Sequence, residues 1–137
     1  MRALSILLML VCGSAFADQT ASPPGAEVYF IAPKNGERVT SPVHVVFGLK
    51  GMGVAPAGIK FDNTGHHHLL VDADLPADLT QPLPATDNIR HFGKGQTETT
   101  LDLPPGKHTL QLLFADATHT PFAPNVASKK ITITVTK

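Results

Sequence analysis

An all-β domain is the fold class this sequence predicts, on three observations. Twelve prolines and eleven glycines punctuate its 137 residues from end to end, marking turns at short intervals. The runs between them alternate apolar and polar, as in Thr97-Glu-Thr-Thr-Leu-Asp-Leu103 and Ile131-Thr-Ile-Thr-Val135, the period of a half-buried strand. No stretch keeps a 3.6-residue apolar period over ten residues, so no helix is expected.

Residues 1–17 stand apart from the fold. Arg2 supplies a positive start, Ala3 to Val11 an apolar run, and Ala15-Phe16-Ala17 an A-x-A cleavage site: together these read as a signal peptide. The run falls short of the roughly 20 residues of a membrane helix. Cys12 offers lipidation as a competing reading, although Val11 stands where a small residue is required. Export to the periplasm or the medium, with cleavage near Ala17, is the expectation. The single cysteine leaves with the leader, so neither a disulfide nor a thiolate metal site is expected. Ten basic and eleven acidic residues remain, a balance that leaves no electrostatic footprint for nucleic acid or an anionic membrane.

Residues 18–25 read as a flexible tether and 26–137 as one domain. Glu27 to Ala32 is the first predicted strand, closed by a turn at Pro33-Lys34-Asn35-Gly36. Val43 to Leu49 is the second. A Gly/Pro loop, Gly51 to Gly58, leads to Ile59-Lys60-Phe61, a short strand, and to a turn at Asp62-Asn63-Thr64-Gly65. Gly65 to Val71 is the next strand. Asp72 to Asn88 carries Pro76, Pro82 and Pro84 and reads as a surface excursion, since proline is excluded from central strands. Thr97 to Leu103, His108 to Phe114 and Lys130 to Val135 complete six or seven strands. That inventory describes an immunoglobulin- or fibronectin-like β-sandwich.

The chemistry concentrates in the fourth of these runs, Gly65-His66-His67-His68-Leu69-Leu70-Val71-Asp72. The chain has seven histidines, and three are adjacent here. Side chains alternate on a strand, so His66 and His68 share a face while His67 points away. A His-x-His pair on one face is a clamp for a borderline divalent metal. Leu101 to Leu110, Leu-Asp-Leu-Pro-Pro-Gly-Lys-His-Thr-Leu, looks like the corner between strands E and F of fibronectin-type sandwiches, where a ring at the position of His108 bonds back to the corner backbone. With that corner in place, His66 to His68, His91 and His119 meet at one end of the sandwich and His108 lies at the other. If instead the strand after residue 96 pairs with the histidine strand as a hairpin, His108 approaches His66 and His68, and His91 and His119 lie far away.

On the first topology His66, His68, His91 and His119 are the expected ligands, supported by His67, Gln96 and Asp116. Copper leads zinc, because imidazole-rich, thiol-free sites suit both and the Irving–Williams order favours Cu(II). His44, between Val43 and Val45, reads as a solvent-face residue. Phe92 to Thr97 lacks the spacing of a phosphate loop. Catalysis is not expected: there is no cysteine nucleophile, no Gly-x-Ser-x-Gly, and Ser22, Ser41 and Ser128 lie in no histidine-bearing motif.

Gly65 to Asp72, His91-Phe-Gly-Lys-Gly-Gln-Thr-Glu98, Leu103-Pro-Pro-Gly-Lys-His-Thr-Leu-Gln-Leu112 and Ser128 to Val135 together resemble a family of small exported bacterial domains known as domain of unknown function 4399. The resemblance spans most of Glu27 to Val135. It implies a domain identity and an extracytoplasmic setting, without an activity. The family pattern places a second histidine after Asp-x-x-His-x-Pro, where this sequence has Phe122. Two functions are carried forward: an exported metal-binding or metal-handling protein with a metal ion as its partner, or a non-catalytic module recognising an envelope protein or glycan.

Overall fold

The computed structural model describes residues 18–137; the expected leader, its cleavage site and Cys12 lie outside the described residues. Ten strands account for the fold: β1 (Glu27–Ala32), β2 (Arg38–Thr40), β3 (Val43–Lys50), β4 (Gly53–Val54), β5 (Thr64–Val71), β6 (Ile89–His91), β7 (Glu98–Leu101), β8 (Gly106–Ala115), β9 (Pro121–Ala127) and β10 (Ile131–Thr136). A three-stranded sheet, β1-β3-β7, faces a larger one ordered β2-β10-β8-β5-β4, with β6 added to β5 and β9 to β8. The molecule is an all-β sandwich. No helix of the described residues is long and apolar enough to cross a membrane.

The strand count exceeds the six or seven expected for physical reasons. β2, β4 and β6 are only two or three residues long, too short for a period to show. β9 contains Pro121 and Pro124, which argue against a strand, but its pairing with β8 is short and broken by a register shift, and it tolerates the missing donors. Ile59-Lys60-Phe61 is loop rather than strand, and Phe61 is 72% exposed. Residues 18–25, expected to be a free tether, instead dock beside β9: Ser22 N donates to Ala123 O (3.1 Å) and Ala123 N to Thr20 O (3.0 Å).

β7 pairs antiparallel with β3, Val43 opposite Leu101, and so lies in the other sheet from β5. The hairpin alternative is thereby excluded. β5 instead pairs with β8, His66 opposite Ala115 and Val71 opposite Leu110. Gly65 enables this approach, since a Cβ there would sit 2.3 Å from Ala115 O. The main core lies between the sheets, where Val28, Val43, Val45 and Phe47 meet Leu69, Leu110, Leu112, Phe114 and Ile133. A second, smaller core covers the outer face of the larger sheet: Leu70, Leu113 and Ile89 pack under Leu75, Leu79 and Leu83 of the excursion after β5. β5 is therefore buried on both faces, which explains its unbroken run of non-charged residues.

At the pole where β5 ends, His108 Nδ1 lies 2.7 Å from Asp72 Oδ2 and its Nε2 2.8 Å from Pro104 O. A carboxylate and a carbonyl oxygen on the two ring nitrogens both favour the doubly protonated ring. Burial pulls its pKa down, but the Asp72 hydrogen bond, the Pro104 bond and the Asp72 charge outweigh it, and the net shift is upward. His108 is thus a corner clamp, at the opposite end from the other buried histidines.

Candidate metal centre

Strand alternation divides the triple histidine. His67, with Leu69 and Val71, points into the main core; His66 and His68 point to the outer face with Leu70. β6 runs antiparallel to β5 and sets His91 opposite His68. The loop between β8 and β9 delivers His119, which has a left-handed φ of 67° and whose ring reaches His66. The Ala55–Gly58 loop braces both contributors, Ala57 N donating to Gly93 O and Gly58 N to Ala117 O, each at 2.9 Å.

The four imidazoles converge. His66 Nε2 lies 3.1 Å from His119 Nδ1 and 3.1 Å from His91 Nε2. One nitrogen of each of His66, His68, His91 and His119 falls within 4.8 Å of the others, a group that could hold a metal ion. A metal bound to imidazole at 2.0–2.1 Å sets tetrahedral nitrogen–nitrogen edges of about 3.3–3.4 Å, close to the two contacts found. A single imidazole nitrogen carries either one proton or one lone pair, so His66 Nε2 cannot make two linear hydrogen bonds at once. A cation in the middle would satisfy all three nitrogens together.

Electrostatics keep the site in ligand form. Burial, then the neighbouring His91 and His119, lowers the His66 pKa to about 4 against a small opposing pull from Asp116. Burial, followed by the other three rings, lowers that of His68 to about 3. Burial and His119 also lower His91. At neutral pH these rings carry free lone pairs, and a metal need displace no proton from them. His66 and His68 are buried, whereas His91 is exposed and His119 half-buried, so the cluster opens to solvent on one side.

The supporting residues behave differently from expectation. His67, expected to back the ligands, is fully buried on the opposite face between Phe47 and Phe114, at centroid distances of 5.0 and 4.9 Å. Neither of its ring nitrogens has a hydrogen-bond partner. Alternation separates it from the cluster. Gln96 is exposed, and its Oε1 accepts from Lys94 N at 2.8 Å, closing a local turn. Asp116 makes no hydrogen bond to an imidazole; its carboxylate accepts from Thr118 N, Thr120 N and the Thr118 and Thr20 hydroxyls, winding the loop that carries His119. Burial works to raise its pKa, but these bonds outweigh it and hold the carboxyl below the usual range. Phe122 is buried and stacks on Phe114, so the position where the family pattern has a histidine faces the core. His44 is on the surface, 3.4 Å from Glu98.

Comparison with known proteins adds a family. Residues 45–136, which include all four converging histidines, match the model of the family described as Domain of unknown function (DUF4399). The chain belongs to the DUF4399 family. No curated protein matches it. Among solved structures, an endo-beta-1,4-mannanase from Thermotoga petrophila is similar over 82% of this chain and 20% of its own, at 20% identity and a TM-score of 0.47. The DUF4399 chain thus spans about a fifth of that enzyme's length.

Gly93 of the DUF4399 domain, two residues after His91, leaves room for that imidazole. A Cβ there would lie 2.2 Å from His91 Cε1 and 2.7 Å from its Nε2. The ring can swing outward, so Gly93→Ala is expected to spare the fold, with stability unchanged within about 0.5 kcal/mol. It should weaken metal binding about tenfold or more, the scale of losses when a ligand's support is removed. Thermal unfolding beside a metal titration checks both; equal affinity in the variant would remove His91 from the ligand set.

Proposed function

We propose that this protein is an exported, non-catalytic metal-binding or metal-handling protein that takes copper at His66, His68, His91 and His119, with zinc as the alternative ion. The observation that carries the reading is His66 Nε2 lying 3.1 Å from imidazole nitrogens of two other elements. Four converging imidazoles without a thiolate suit Cu(II) and Zn(II), and the Irving–Williams order places Cu(II) first. The signal-peptide pattern at residues 1–17 supports work in the periplasm or outside the cell. A second reading, a module that docks on an envelope protein or glycan, is favoured by exposed Ile59 and Phe61, at 54% and 72%.

Calorimetric titration of tag-free mature protein with Cu(II) and Zn(II) tests the first reading. His66→Ala/His68→Ala should lower affinity more than about a hundredfold, beyond the loss from removing a supporting partner alone. His91→Ala/His119→Ala, at the accessible side, provides a second variant with little risk to folding. Affinity unchanged in both pairs, or no binding by the wild type, would leave the docking module standing, and Phe61→Ser would then be the variant to follow.

A further inference from the structure

We infer that Thr20 is a positioning residue through which the N-terminal segment fixes His119, an inference that rests on the metal reading above. His119 adopts a left-handed backbone, φ 67°, which a residue other than glycine leaves unless its surroundings hold it. What holds it is the Asp116 carboxylate. Its Oδ1 accepts from Thr118 N (2.9 Å), Thr118 Oγ1 (2.8 Å) and Thr120 N (3.1 Å), while its Oδ2 accepts from Thr20 Oγ1 (2.7 Å). The loop closes on itself through His119 N to Asp116 O and Asp116 N to Thr120 O. Three of the four carboxylate bonds are local to the loop. Thr20 is the one that arrives from elsewhere in the chain.

Thr20 is itself strapped down. Ala123 N donates to its carbonyl, Ala21 bridges Ala123, and Ser22 Oγ donates to Pro124 O. Gln19 Nε2 donates to Leu79 O (2.8 Å) and Pro121 O (2.9 Å). The far side of the loop is tied as well, Leu83 N donating to His119 O. The segment after the expected cleavage site thus bonds to both ends of the His119 loop, Asp116 and Pro121. Loss of the strap lets the loop leave the one conformation in which His119 Nδ1 faces His66 Nε2. A ligand that is competent only part of the time lowers apparent affinity by that fraction.

The test is a double-mutant cycle on mature full-length protein: Thr20→Val, Thr20→Ser, His119→Ala and Thr20→Val/His119→Ala. Without metal, exchange of the His119 amide hydrogen should quicken about threefold to tenfold in Thr20→Val, the effect of losing one exposed charge-assisted bond. It should return to the wild-type rate in Thr20→Ser. Cu(II) affinity should fall in Thr20→Val, by no more than that factor because only the lost fraction of competent loop counts, and recover in Thr20→Ser. In the His119→Ala background Thr20→Val should change affinity no further. Unchanged His119 exchange in Thr20→Val overturns the inference, as does an equal affinity loss without His119. If wild-type protein binds neither Cu(II) nor Zn(II), the metal reading fails, and the exchange rates alone decide whether Thr20 positions His119.

Discussion

Acidifying the metal-free protein from pH 7 to pH 4 is expected to remove most of its stability. His66 and His67 have pKa values near 4 and His68 near 3 in the folded chain, against 6.5 in the unfolded one. The unfolded chain therefore binds more protons throughout that interval. Stability is fully present above pH 6.5 and is lost as pH falls through 6.5 towards the folded values. At 1.36 kcal/mol per pKa unit, His67 alone contributes about 3 kcal/mol to the loss. His66 and His68 act in the same direction, and a domain has only about 5–15 kcal/mol in total. His108, its pKa raised, works the other way: its contribution is complete below pH 6.5 and fades as pH rises through its folded value. One such group offsets only part of three. Urea unfolding at pH 7, 6, 5 and 4 measures the slope, and flat stability between pH 6.5 and 4.5 would mean that these rings are solvated.

His67→Leu should stabilise the protein at pH 7 and flatten that slope. Both nitrogens of His67 are buried without partners, at a cost of about 1–3 kcal/mol. Leucine is apolar and of comparable size, and the neighbours Phe47 and Phe114 suit it. The expected gain is about 1–3 kcal/mol at neutral pH, rising by about a further 3 kcal/mol near pH 4 as the wild type loses the titration term. Metal affinity at pH 7 should not move, because the ring faces away from the cluster. Destabilisation of comparable size would show that the imidazole has a partner in the core, and a weakened metal site would restore it to a supporting role.

Much of this arrangement was legible in the sequence because it follows from period two. Alternation alone separates His66 and His68 from His67, and the Pro104-Pro105-Gly106 corner sets the strand directions that bring His91 and His119 to the same pole. What stayed hidden depends on contacts that have no local pattern. The prolines of β9 masked a strand that short, interrupted pairing permits. Residues 18–25 look like a solvated tether, since their docking rests on side chains such as Gln19 and Thr20 reaching residues about a hundred positions away. Spacing from His119 made Asp116 look like a partner of the imidazole, but nearer amides and hydroxyls claim its oxygens first. For His67 alternation shows the face, but its complete burial depends on Phe114 of the neighbouring strand and Phe47 of the opposing sheet, which no local pattern announces.

The roof over Leu70 and Leu113 is a single irregular segment whose Leu75, Leu79 and Leu83 reach down from a run rich in prolines. A proteolytic nick within residues 76–84 would unmoor that roof and bare an oily stripe along the two central strands. The cut molecule would become sticky, liable to pair with its own kind through the uncovered face, and its histidines would lose the wall beside them in the same event.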